Sequence, residues 1–101
     1  MARTTIEELK SRRLAAMSDD ERAEFDEAYD ATRLALEVGE RVRDAREAAG
    51  LSQRELAARM ATSQAAVARL EAGGTGATLT TLQKVASALD LTVSIELTPT
   101  G

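Results

Sequence analysis

Cysteine and histidine are both absent from the 101 residues. Disulfides, thiolate and imidazole metal sites, and histidine-based catalysis are excluded with them. Aromatic residues are nearly missing as well, with one Phe, one Tyr and no Trp, and the one Pro falls at position 99. No apolar run approaches the ~18 residues of a membrane span. Arg3, Lys10, Arg12 and Arg13 lie in the first twenty residues without an unbroken apolar run to make a secretion signal. The expectation is a cytoplasmic chain that is not an enzyme, holds no cofactor or metal, and has no membrane partner.

Large aliphatic side chains are scarce too. Leu, Val, Ile and Phe together number 20, no more than Ala alone, which is close to the ~20 % floor below which chains stay unfolded. The core is therefore small and tightly packed. Only five of these residues lie in 1–35 (Ile6, Leu9, Leu14, Phe25, Leu34), and the other fifteen lie in 36–101. One folded unit in the C-terminal two-thirds follows, with an appendage before it; two independently cored domains do not fit.

The net charge of −4 argues at first against a nucleic-acid partner, because phosphate binding is driven by Lys and Arg displacing counterions. The average conceals a division. Residues 1–35 carry six basic and nine acidic side chains, whereas residues 41–84 carry seven basic and four acidic ones. The acid is densest in residues 18–30, SDDERAEFDEAYD, with seven carboxylates and one arginine. An acidic arm thus precedes a mildly basic body. These carboxylates read equally well as a solvated face, because paired acid–base chemistry needs a dry cleft and the arm has little apolar cover.

Residues 4–17, TTIEELKSRRLAAM, give a weak helical stripe through Ile6, Leu9, Ala16 and Met17. Ser18 followed by Glu21 is a capping box and starts a new helix. Its apolar face runs through Phe25, Ala28, Tyr29, Leu36, Val42, Ala45 and Ala49 to about Gly50. Gly39 inside this run costs about 1 kcal/mol relative to Ala and leaves open whether there is one helix or two meeting near residues 35–39. Gly50 ends the segment, and Ser52 with Glu55 forms a second capping box. Leu56, Ala57 and Met60 supply the next buried face. Ala61, Thr62 and Ser63 interrupt it, and residues 64–72 resume helical spacing through Val67 and Leu70. Gly73, Gly74 and Gly76 break the chain, and Thr78 caps a last helix bearing Leu79, Leu82, Val85, Ala86 and Leu89.

From Leu91 the period changes to two: Leu91, Val93, Ile95 and Leu97 alternate with polar residues, which predicts one strand. A lone strand leaves its backbone groups unpaired, and no other segment reads as strand. The economical solution is pairing with the same strand of a second copy, a homodimer joined by a two-stranded antiparallel ribbon. The alternative is a tail folded back over its own helices.

Residues 51–73, LSQRELAARMATSQAAVARLEAG, have the anatomy of a helix-turn-helix. Ala57 lies where the two helices must approach closely, and Val67 and Leu70 anchor the second helix inward. Gln64, Ala65, Ala68 and Arg69 then face outward. Glutamine can bond adenine through paired contacts, an alanine methyl can meet the thymine methyl, and arginine can fork onto guanine. Set against this, Ala65 and Ala68 also read as mere helix formers, Gln53 as a solvated first-turn residue, and Arg69 as the partner of a surface carboxylate. Arg41, Arg43, Arg46 and Lys84 read as solvated.

These residues resemble the XRE family of phage-repressor-like helix-turn-helix regulators over about residues 36–90. The pattern is carried by Leu51-Ser52-Gln53, Glu55-Leu56-Ala57, Ser63-Gln64, Val67, Leu70-Glu71 and Gly73. The resemblance implies that Gln64, Ala65 and Arg69 read base edges, and Ala68 joins them as a base-reading candidate by its outward position on the same helix. It implies that Gln53, with Thr75 and Thr78 in the loop after the second helix, holds phosphates of double-stranded operator DNA, and Ser63 is a further phosphate candidate. Ala61 departs from the family, which usually has a positive-φ glycine there, at about 1 kcal/mol if the turn is kept.

The acidic arm, the XRE core and the closing stretch ALDLTVSIEL together resemble a HigA-type antitoxin. That likeness implies a cognate basic ribonuclease toxin of the HigB/RelE type, its neutralisation, and repression of the shared operon. Ile6, Leu9, Phe25 and Tyr29 are the arm residues suited to fill pockets on such a toxin. The expected fold is mainly α: an XRE-type helix-turn-helix bundle over 36–90, an acidic helical arm over 1–35, and one C-terminal dimerising β-strand over 91–101. Two other readings remain, a free-standing XRE repressor with no toxin partner and a helical interaction module that does not bind DNA.

Overall fold

A computed structural model of the chain describes residues 18–74 and 76–100 together with Arg12 and Ala16, both helical. The weak stripe over 4–17, including Ile6 and Leu9, lies outside these residues apart from those two positions, and so does Thr75. Helix α1 (Asp19–Ala48) starts at the expected capping box: the Glu21 amide donates to the Ser18 hydroxyl at 3.2 Å, and the Ser18 amide donates to the Glu21 carboxylate at 3.4 Å. Acidic residues occupy its first turn and Arg46 its last, each matching the helix dipole.

The chain divides into two compact units, Met1–Thr32 and Arg33–Gly101. In the first, all seven carboxylates of residues 19–30 are exposed and Phe25 is half-buried.

In the second, α2 (Gln53–Arg59), α3 (Gln64–Glu71) and α4 (Leu79–Ala88) follow the end of α1. Ser52, Ser63 and Thr78 cap them, each accepting from the backbone amide three residues on. Their apolar faces converge on one core: Val42 from α1, Leu56 and Ala57 from α2 with Met60 after it, Val67 and Leu70 from α3, Val85 from α4 and Leu89 at its end. Leu56 and Val67 are its most enclosed large side chains.

Helix α1 is one helix of 30 residues and does not divide at Gly39. Gly39 is buried, and a Cβ there would fall 2.6 Å from the Glu71 carbonyl oxygen and 2.7 Å from that of Leu70. This glycine lets α1 approach the C-terminal end of α3 more closely than any larger residue allows.

The expected C-terminal strand is not formed. Residues 91–100 carry no regular structure, and no strand exists among the described residues. A strand is held by its ladder, and the described residues supply no second extended segment to pair with. The segment instead begins with the Leu91 amide donating to the Ala86 carbonyl at 2.8 Å. It lines an open groove of about 490 Å³ with Leu34, Val38, Val42, Leu82 and Val85. Val93 is half-buried there, while Leu91, Ile95 and Leu97 remain exposed, so the observed course is nearer to the folded-back tail.

Candidate nucleic-acid interface

The short α2 owes its start to a complete capping box. Hydrogen bonds from the Ser52 amide and hydroxyl, in that order of effect, hold the Glu55 carboxyl below the usual carboxylate range. After the cap residue Met60, Ala61 takes φ +55°, the conformation for which glycine is the usual choice, and the Thr62 amide closes the turn onto the Ala57 carbonyl at 2.9 Å. Ala57 is buried between the helices, as the close approach requires. Alanine at position 61 thus keeps the turn at a conformational cost.

With about 100° between successive residues, the buried Val67 and Leu70 fix which side of α3 faces outward. Gln64, Ala65 and Arg69 are exposed, and Ala68 is half-buried on their flank. Arg69 makes no ion pair among the described residues, contrary to the alternative of a surface carboxylate partner. Ala72, the exposed cap residue of α3, continues the outward stripe and was not singled out from the sequence. It follows from the same rotation, extended one residue past the helix.

Behind this surface runs a chain of hydrogen bonds. Arg46 of α1 donates from Nε at 2.7 Å and from Nη2 at 3.0 Å to the two carboxylate oxygens of Glu71, and from Nη1 at 2.8 Å to the Leu51 carbonyl. The Gln53 amide nitrogen donates to Glu71 Oε1 at 3.2 Å, and its carbonyl oxygen accepts from Gln64 Nε2 at 3.0 Å. The pair at its root is almost closed to solvent, with Arg46 11 % and Glu71 4 % exposed. Burial by itself pushes the Glu71 carboxyl up. The hydrogen bonds from Arg46 and Gln53 and the charges of Arg46 and Arg43 outweigh it and hold the group below the usual carboxylate range. The Glu71 hydrogen bond raises the Arg46 guanidinium in turn. Arg46 is therefore not part of a solvated face. Its partner lies 25 residues away, a separation at which sequence offers no signal.

The proposed phosphate residues divide. Gln53 is half-buried at the first position of α2, where it bonds both Glu71 and Gln64. The hydroxyls of Ser63 and Thr78 accept from the amides of Ala66 and Thr81 as helix caps, and Thr78 also shares a hydrogen bond with the Thr81 hydroxyl. Of the arm residues, Phe25 is half-buried and Tyr29 about half-exposed. Among the described residues no cluster of acidic side chains is placed to hold a metal, and no helix is long and apolar enough to cross a membrane.

A family model described as helix-turn-helix (HTH_3) matches residues 42–95, more than half of the chain. No curated protein and no solved structure gives a significant match.

Proposed function

The chain belongs to the helix-turn-helix family, and from that premise we propose that it is a sequence-specific DNA-binding repressor that inserts α3 into the major groove. The observation that carries this reading is the outer face of α3. Gln64, Ala65 and Arg69 are exposed together on a helix whose opposite side is locked into the core. Gln64 is already oriented by Gln53, so less freedom is lost when it bonds a base. Gln64 suits adenine, Ala65 and Ala68 suit thymine methyls, and Arg69 suits guanine. Gln53 and the first-turn amides of α3 face the phosphates.

Two copies place their α3 helices in successive major grooves about 34–36 Å apart on a near-palindromic operator. The exposed Leu91, Ile95 and Leu97 give the copies an apolar surface on which to meet, and sedimentation as a monomer at micromolar concentration would count against their pairing. Within this reading the chain is an antitoxin whose acidic arm engages a basic ribonuclease toxin and which represses the shared operon. The exposed carboxylates of residues 19–30 support that assignment. A neighbouring reading frame for a small basic protein is its first check.

The decisive experiment is a gel shift on the DNA upstream of the chain's own reading frame at ~50 mM salt, where phosphate contacts are strongest. Arg69→Ala should cost about 1–3 kcal/mol and relax preference at one base position. Gln53→Ala should weaken binding to every sequence and also loosen the choice at the base met by Gln64. Equal losses for both variants on specific and random DNA would reject these roles, and no binding at all would favour a module that only packs against protein.

A further inference from the structure

Outside the Arg46–Glu71 pair, Arg43, Arg46, Gln53, Ala68, Glu71 and Ala72 line an open polar hollow of about 320 Å³. It adjoins the outward stripe of α3 on one side and the first turn of α2 on the other. Glu71 accepts three hydrogen bonds, from Arg46 and Gln53, and the Arg46 guanidinium is committed to Glu71 and the Leu51 carbonyl. The two charges therefore cancel within the wall. Arg43 is the remaining cation of the lining, 62 % exposed and held by a 3.1 Å bond to the 53 % exposed Glu47 one turn along α1. Exposed pairs of this kind are weak. Releasing Arg43 does not strand Glu47, whose Oε1 also lies 3.9 Å from Arg46.

We propose that Arg43 is a DNA-backbone anchor, swinging from Glu47 to a phosphate seated over this hollow beside Gln53. The proposal rests on the DNA-binding reading above and adds a contact on α1, outside the helix-turn-helix itself. A guanidinium on a long flexible stem suits that task, because the phosphate contributes charge and no sequence information.

The test is a salt series on full-length protein with two duplexes, the upstream DNA and a random sequence. Loss of one phosphate contact lowers the slope of log K against log salt by about 0.9 per bound chain, or about eightfold in affinity at 0.1 M salt. Arg43→Ala and Arg43→Gln should both lose this amount on both duplexes, and Arg43→Lys should retain it. Arg33→Ala is the matched control, since Arg33 makes the same 3.1 Å bond to Glu37 on the same helix with 61 % exposure. Its slope should be unchanged, and its melting temperature should equal that of the Arg43 variants. A slope for Arg43→Ala and Arg43→Gln equal to that of Arg33→Ala overturns the proposal while the DNA reading stands. Failure of the unaltered chain to bind either duplex overturns both.

Discussion

Replacing Gly39 with alanine reverses in sign between sequence and structure. By helix propensity, Gly39→Ala in the interior of a 30-residue helix stabilises by about 1 kcal/mol. In the folded chain the new methyl meets the carbonyl oxygens of Glu71 at 2.6 Å and Leu70 at 2.7 Å and the Glu71 carbonyl carbon at 2.9 Å. All three are backbone atoms, so no rotamer change relieves the clash, and α1 must withdraw from the end of α3. Overpacking of this kind costs about 1–3 kcal/mol. The same withdrawal stretches the Arg46–Glu71 bonds, since Arg46 sits about two turns further along α1. The expected net change is a loss of about 1–2 kcal/mol, which for a folded unit of this size lowers the melting temperature by about 5–15 °C. Thermal unfolding followed by far-UV circular dichroism reads this directly. The exposed neighbour Glu40, changed to Ala, is the control and should shift the melt little. A Gly39→Ala variant that melts at or above the unaltered chain would refute the close-approach account.

Glu71→Gln keeps the shape but takes the carboxylate from the half-buried Arg46 guanidinium, which retains only Glu47 at 3.9 Å as a counter-charge, and should cost about 1–3 kcal/mol at neutral pH. The folded-state carboxyl is held below its ordinary value. Its contribution is therefore complete above the unfolded value of about 4.3 and disappears as pH falls through the lower folded value. The melting difference between the two proteins should shrink from pH 7 towards pH 3, and a gap independent of pH would refute the ion-pair origin. Ala61→Gly removes a left-handed strain of about 1–2 kcal/mol. Glycine's greater freedom when unfolded offsets about 0.4–1 kcal/mol of that. A small rise in the urea midpoint is expected, and a fall would mean that the Ala61 methyl makes a packing contribution.

The features legible in the sequence are those settled within about one helical turn. Ser18 with Glu21, Ser52 with Glu55, and Thr78 announce helix starts because a capping hydroxyl bonds an amide three residues on, and all three are found in place. The inward set Leu56, Val67, Leu70 and Val85 follows from helical period, and so does the outward set Gln64, Ala65 and Arg69. Residues 91–97 show the limit: alternation declares a capacity for strand, but a ladder needs a partner segment, and none is found among the described residues.

What the amino-acid order determined alone is the succession of helices, the turn between α2 and α3, and the outer face of α3, since each depends on neighbours a few positions away. Only the tertiary structure decided that Gly39 is a contact point rather than a break, that Arg46 leaves the surface to hold Glu71, and that Gln53 carries that anchorage to Gln64. These are meetings of groups many residues apart, and their worth comes from exclusion of water and from distances of closest approach. Neither quantity exists until the helices have packed.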